Sequence, residues 1–279
     1  MPETKQLRVA AVQMCSGPEL QDNLDAAASL LRQAQADGAQ LAVLPENFAL
    51  QGRSETDKLA LMENAGSGPI QSFLAEQAQL LGMHVVGGSV PLQGPDAQHI
   101  LAACLVYGPQ GELLGRYDKM HLFDVDTVRD GRAERYAESS TIAHGPLAPT
   151  VVKTGVATLG LSICYDLRFP ELYRALVDDG AQILLVPSAF THQTGAAHWQ
   201  PLLRARAIEN QCAVIAPNQC GPLGRSRRTW GHSMVIDAWG QVLAQCEEAP
   251  GIAVADLDLD EISALRERFP ALQHRRIGR

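Results

Sequence analysis

The sequence predicts an α/β (α+β layered) fold, a sheet covered by helices, in one domain over residues 1–279. Short apolar runs of strand length recur ahead of helical segments along the chain. Several are apolar throughout, as strands buried on both faces are. The 279 residues are 46% hydrophobic and 19% charged, enough apolar material for a sizeable core. No linker, internal repeat or low-complexity tract divides them.

The elements follow in order. "LRVAAVQM" (7–14) predicts a buried strand. In "ELQDNLDAAASLLRQAQADG" (19–38) apolar residues return at helical spacing, and Gly38 is a stop signal. "AQLAVLPE" (39–46) reads as a second buried strand that carries Glu46 at its exit. "PIQSFLAEQAQLLG" (69–82) predicts a helix ending at Gly82. Strands follow at 84–90, 100–108 and 113–122, the last two parted by the hairpin signal Pro109-Gln110-Gly111. Residues 123–150 are polar and rich in Gly and Pro, and read as a long loop.

"TVVKTGVATLGLSIC" (150–164) predicts two strands turning at Thr154-Gly155. "FPELYRALVDDG" (169–180) predicts a helix with Pro170 near its first turn. A strand at 181–188 and a helix at 196–211, interrupted by Pro201, come next. The tail alternates through "CAVIAPN", "GHSMVIDAWG", "QVLAQCE" and "GIAVADLDL" to a short helix near 259–268. "GRSRRTW" (224–230) reads as a basic loop, solvated or facing a substrate carboxylate, and Leu202, Leu203, Ala205 and Ile208 read as packing.

A net charge of −8 argues against nucleic acid as the main partner. No run of 18 apolar residues predicts a membrane span, and the N-terminus lacks the pattern of a signal peptide. Six cysteines stand singly without a CxxC, so reduced thiols in a cytoplasmic setting are expected, five of them packing as small hydrophobes.

Most chemical signatures are absent. There is no G-x-G-x-x-G after a strand, no G-x-x-x-x-G-K-[ST], no G-x-S-x-G and no H-E-x-x-H; His192 and His198, six apart, do not share a helix face. What remains is polar residues at strand exits: Glu46, Lys119 and Cys164. Strand ends at one sheet edge commonly converge on a ligand. A thiol needs a base to become a nucleophile, and a carboxylate can be one. Attack on a carbonyl makes an oxyanion, which a lysine and backbone N–H groups can hold. Plainer readings stand beside these. Cys164 could simply pack, Glu46 could be a loop acid or helix cap, and Lys119 could be a surface residue beside Asp118.

"LAVLPENF", "YDKMHLFD" and "SICYDLRFPELYR" resemble, in order, the three signature segments of the nitrilase superfamily, the carbon–nitrogen hydrolases. The resemblance runs from "VAAVQM" to "GIAVADLDL". It implies a four-layer α-β-β-α sandwich, dimerised through helices, with the tail at about 259–279 contributing to the dimer. It implies Glu46 as general base, Lys119 as oxyanion stabiliser and Cys164 as nucleophile, with the Tyr165 backbone N–H as a second oxyanion donor. "ERYAESSTIAHG" is similar to the family's further glutamate segment, which implies Glu138, with Glu134 as a nearby competitor. No cofactor or metal is implied.

Within the superfamily, "AFTHQTGAAHWQPLLRARAIENQCAVIAPNQCG", "WGHSMVIDAWG" and the closing "HRR" are most similar to the deaminated glutathione amidase branch. That implies hydrolysis of the amide between an α-ketoglutaryl group and Cys-Gly through a thioester. Arg168, Phe190 and Thr194 are the candidates, by position, for the substrate carboxylate pocket. Arg168 could instead pair with Glu171 or Asp166, Phe190 could be core, and His198-Trp199 could pack behind the site or at a dimer seam. The neighbouring readings are an ω-amidase acting on α-ketoglutaramate, an N-carbamoyl amino-acid hydrolase or a nitrilase. A reading of another class is a catalytically silent binding protein on the same fold.

Overall fold

In β1 (Gln6–Gln13) Leu7, Val9 and Ala11 enter one apolar core, and Ala10 and Val12 enter another. Successive strand residues face opposite ways, so a strand apolar on both faces needs cover on both. The computed structural model, which describes residues 5–52, 54–129, 132–223 and 227–277, supplies that cover.

The first half of the chain continues through α1 (Leu20–Ala36), β2 (Leu41–Val43), α2 (Pro69–Leu81), β3 (His84–Asp96), β4 (His99–Tyr107) and β5 (Leu113–Asp118). A hairpin, β6 (Asp124–Arg129) and β7 (Arg132–Ala137), stands apart from the main sheets. The second half holds β8 (Val151–Lys153), β9 (Thr158–Leu161), α3 (Pro170–Asp178), β10 (Ile183–Leu185), α4 (His192–Asn210) and β11 (Ala213–Ala216). A second hairpin, β12 (Cys220–Leu223) and β13 (Arg227–Trp230), precedes β14 (Met234–Ile236), β15 (Val242–Gln245), β16 (Gly251–Asp258) and α5 (Leu259–Arg268).

Two six-stranded sheets result, in the orders β16-β1-β2-β3-β4-β5 and β15-β14-β11-β10-β9-β8. Leu31 of α1 and Leu74 of α2 share a core with the even-numbered face of β1. Between and behind the sheets, the other core joins the odd-numbered face of β1 to Leu159, Ile183 and Val214, and to Tyr173 and Trp199 of α3 and α4. The layers are therefore α-β-β-α.

At the centre of each sheet the strands run parallel, β1-β2-β3 in one and β9-β10-β11 in the other. Parallel strands discharge their C-terminal ends at one edge. Because β4 is antiparallel to both β3 and β5, β5 runs with β3 and its end reaches the same edge. The exits of β2, β5 and β9 lead to Glu46, Lys119 and Cys164.

Several expectations need correction. Residues 123–150 are not one long loop, because β6 and β7 pair from Asp124↔Ala137 to Arg129↔Arg132. Within 224–230, Arg227–Trp230 is a strand paired with Cys220–Leu223; residues 224–226 lie outside the described residues. α4 begins four residues early, where the Thr191 side chain accepts from the Thr194 N–H as an N-cap, and it runs through Pro201 without interruption. The helix forgoes one hydrogen bond there, and the burial of Trp199, Leu203 and Ala207 holds it. Ile208 is not packing but 51% exposed. Finally, Cys15 and Cys220 are joined as a disulfide rather than being separate thiols, because the Met14↔Gln219 bridge brings the two chain segments side by side. Of the four remaining cysteines, Cys104, Cys212 and Cys246 are buried. Among the described residues no helix is long and apolar enough to cross a membrane.

Candidate active site

Lys119 follows β5 directly, and its side chain is fully buried. A buried ammonium must be paired. Nζ donates to Glu46 Oε1 at 2.7 Å and to both oxygens of Glu138, at 2.9 and 2.8 Å. Each carboxylate is fixed by a backbone N–H in turn. Ala189 donates to Glu46 Oε2 at 2.8 Å, and Phe123 donates to Glu138 Oε2 at 2.8 Å. Burial alone would lower the lysine's pKa, yet Glu138 and then Glu46 outweigh it and hold the ammonium well above the ordinary lysine range. Burial works on Glu138 the other way; Lys119 and Lys58 outweigh it and keep the carboxyl below its usual range.

Glu46 and Cys164 both stand at unusual turns. After the short β2 the chain runs Leu44-Pro45-Glu46 and turns at Asn47, with φ 57°, whose N–H donates to Ser89 Oγ at 2.8 Å. Cys164 itself has φ 48°, in the sparsely populated left-handed region, and its N–H donates to Pro187 O at 2.9 Å. It begins a 3₁₀ turn, Cys164–Arg168, rather than the helix, which starts at Pro170. Burial, then the Glu46 carboxylate, hold the thiol well above its ordinary pKa, while Lys119 and the Ala189 backbone N–H pull the other way. The resting group is therefore a protonated thiol beside a carboxylate and an ammonium.

Asp166, fully buried two residues on, ties the lysine segment to the cysteine turn. It accepts from Tyr117 Oη at 2.8 Å, from the Ile163 N–H at 2.8 Å, and from the His121 N–H and Nδ1 at 3.1 and 2.7 Å. The His121 ring stacks on Phe169 at 3.8 Å. Sequence reasoning missed this residue. Its only signal was a place two residues from Cys164, because its side-chain partners, Tyr117 and His121, lie more than forty residues away.

A small pocket opening to solvent is lined by Phe123, Cys164, Tyr165, Arg168, Phe190, Thr191 and Thr194. Arg168, Phe190 and Thr194 thus share one chamber with the thiol. Phe123 and Thr191 were not singled out from sequence, since each falls where a loop was expected. Arg168 pairs with neither Glu171 nor Asp166 among the described residues. Its guanidinium lies 5.8 Å from the Tyr165 ring centroid and 5.4 Å from that of Phe190, and Nη1 meets His198 Nδ1 at 3.3 Å. That leaves a cation in the chamber with no carboxylate partner among the described residues. Phe190 is nearly buried and packs on Trp199 behind the chamber. Thr194 Oγ1 meets Thr191 Oγ1 at 2.8 Å. Glu134 lies apart from Lys119, paired to Arg227 across the two hairpins at 3.1 Å. Among the described residues no group of three His, Cys, Asp or Glu side chains is set to hold a metal ion.

Chemically, the cluster sets a carboxylate and an immobile ammonium near a thiol, and that thiol lines a chamber with a spare cation.

Comparison with known proteins bears on this arrangement. The family model described as carbon-nitrogen hydrolase matches residues 8–267. The deaminated glutathione amidase of Synechocystis sp. is 46% identical over 269 residues, 95% of this chain and 97% of that protein. That of Homo sapiens is 41% identical over 271 residues, 96% of this chain and 82% of that protein. Among solved structures, the Caenorhabditis elegans NitFhit protein superposes with a TM-score of 0.89 at 38% identity; 98% of this chain is covered, but only 66% of that one. An amidase of the nitrilase superfamily from Nesterenkonia sp. AN1 is 29% identical with a TM-score of 0.79 over 99% of this chain and 95% of that one. A glutamate-to-glutamine mutant of it was solved with the acetamide moiety of fluoroacetamide added covalently at its active-site cysteine.

Proposed function

Because the chain belongs to the carbon–nitrogen hydrolase family, we propose that it is a cysteine-dependent amidase that cleaves the amide of an α-ketoglutaryl group, with deaminated glutathione as substrate and 2-oxoglutarate and Cys-Gly as products. The observation that carries the reaction type is the buried Lys119 clamped between Glu46 and Glu138, close enough for all three charges to act on the Cys164 thiol. The substrate rests on the near full-length similarity to the Synechocystis and human amidases.

In this reading Glu46 takes the Cys164 thiol proton as the sulfur attacks the amide carbon. The raised thiol pKa makes that base necessary, since little free thiolate exists at neutral pH. The tetrahedral oxyanion is met by the Lys119 ammonium and the Tyr165 backbone N–H. Glu46 returns the proton to the leaving amine, and a thioester remains. Water, deprotonated by Glu46, then releases the acid and the thiol. Glu138 touches Lys119 on the side away from this traffic and fixes where its charge sits. Covalent addition at the active-site cysteine of the Nesterenkonia amidase supports the role given to Cys164. Arg168, with Phe190 and Thr194 beside it, receives the α-keto acid carboxylate.

The enzyme works, in the same reading, as a cytoplasmic homodimer formed through α3 and α4, with the tail from residue 259 contributing. Ile208 on α4 and Trp239, 51% and 68% exposed, suit a covered surface better than a solvated one.

The discriminating experiment compares kcat/KM for deaminated glutathione and for α-ketoglutaramate, which share the acyl group and differ in the leaving amine. A preference for deaminated glutathione is expected. A large preference for α-ketoglutaramate would make the protein an ω-amidase instead.

A further inference from the structure

The Cys15–Cys220 pair takes no part in the proposed hydrolysis. It joins the end of β1 to the start of β12, across 205 residues of sequence. Cys220 is buried, but Cys15 is exposed. Room is made for the Cys15 sulfur. Gly221 has φ 79°, and a Cβ there would come within 2.8 Å of Cys15 Sγ.

The neighbours of the pair hold the Glu46 turn. Gln219, next to Cys220, donates from Nε2 to Glu46 O at 3.0 Å and to Ser16 Oγ at 2.9 Å. Ser16, next to Cys15, donates its N–H to Gln219 Oε1 at 3.0 Å and its hydroxyl to Phe48 O at 2.9 Å. The Cys220 N–H donates to Met14 O at 2.7 Å. The sulfur bridge therefore lies one residue from each half of the clamp on the turn that presents Glu46.

We propose that Cys15 and Cys220 form a reversible thiol–disulfide modification site, served by low-molecular-weight thiols and their disulfides, whose state sets how firmly the Glu46 turn is held. In reduction, an external thiolate attacks Sγ of Cys15, the exposed residue of the pair. The Cys15–Cys220 bond breaks as the new one forms, and Cys220 leaves as a thiolate that takes up a proton. A second external thiolate attacks the mixed disulfide at the external sulfur, freeing Cys15 as a thiolate that is then protonated. Two external thiols become one disulfide, and the protein gains two electrons and two protons. The reverse exchange closes the bridge. In a reducing compartment, a disulfide that forms at all is characteristically of this transient, sensing kind.

The test uses the whole protein equilibrated with reduced or oxidised dithiothreitol. Thiols titrated after denaturation should number six when reduced and four when oxidised. Reduction should lower Tm by about 5 °C through loss of a long-range cross-link. It should also lower kcat by roughly tenfold with KM little changed, short of the ~10²-fold that a 1 Å misplacement of a reacting group costs. Both effects should reverse on reoxidation. The Cys15→Ala/Cys220→Ala variant should stay at the reduced wild-type kcat in either condition. Six thiols in both conditions would overturn the proposal, as would a kcat indifferent to the bridge or a double variant that responds to reductant as the wild type does. The thiol count and Tm are independent of the substrate, so a wrong substrate assignment and a wrong redox assignment give different results.

Discussion

In the proposed mechanism Cys164 is a nucleophile kept in its unreactive form. Burial and the Glu46 carboxylate raise its pKa, so the free protein should react slowly with iodoacetamide at neutral pH. The alkylation rate should climb only as pH passes above 9.0, the ordinary thiol value, and a plateau already reached at pH 7 would show a resting thiolate. Replacing Glu46 by Gln removes the proposed base, and kcat should fall by ~10²–10⁴-fold while the fold survives. The Lys119 cluster sets the pH window of stability. Glu138, held below its unfolded value, contributes stability above about pH 4.5 that is lost as pH falls through its folded pKa. Lys119, held above its unfolded value, contributes stability below about pH 10.5 that is lost as pH rises through its folded pKa. Glu138→Gln should therefore flatten the acid limb of a urea-unfolding series, and an unchanged limb would remove Glu138 from that role. Glu46, Lys119 and Cys164 were legible in the sequence because each follows an apolar run closely enough to stand at a strand exit. The surroundings of Arg168 were not legible. Its nearest polar partner, His198, is thirty residues away on a helix that begins earlier than its pattern suggested.

The elements are held to sub-ångström tolerances where they carry these groups. A Cβ on Gly88 of β3 would lie 2.2 Å from Leu44 O and 2.4 Å from Pro45 O, against the backbone that presents Glu46. A Cβ on Gly145 would lie 2.2 Å from Asp118 O, beside Lys119. Gly88→Ala should thus cost kcat about 10²-fold by displacing Glu46, with a smaller effect on KM. Equal kcat in the variant would show that the turn yields elsewhere. Asp166→Ala should cost about 3–5 kcal/mol in urea unfolding, because it strands the buried Tyr117 hydroxyl and two backbone donors. Strands and helices of the two large sheets were readable from apolar runs, since the core requires them. The hairpins were not. β6 reads Asp-Val-Asp-Thr-Val-Arg and lies outside both large sheets, so it lacks the strong apolar signal of a core strand. The contact of its partner β7 with the second hairpin, through Arg227 to Glu134 and over the Tyr136 ring at 4.2 Å, joins segments about ninety residues apart.

Across the whole molecule, strand direction places the chemistry. Two parallel triplets packed face to face, with β5 running in the direction of β3, bring three separate exits to one edge, and α1, α2, α3 and α4 close the outer faces. The resulting arrangement leaves the Ile208 and Trp239 surfaces exposed on one chain. Ile208→Glu should convert the proposed dimer to monomer in sedimentation, and a monomeric wild type would end the proposal. The most direct test of the chemistry is intact-mass measurement of enzyme quenched during turnover of deaminated glutathione. Wild type should carry one added α-ketoglutaryl group, mapped to the peptide containing Cys164 and removed by hydroxylamine, and Cys164→Ala should carry none and turn over no substrate. Turnover by Cys164→Ala at the wild-type rate, or an acyl group mapped to another residue, would show that the reaction does not pass through a thioester on Cys164.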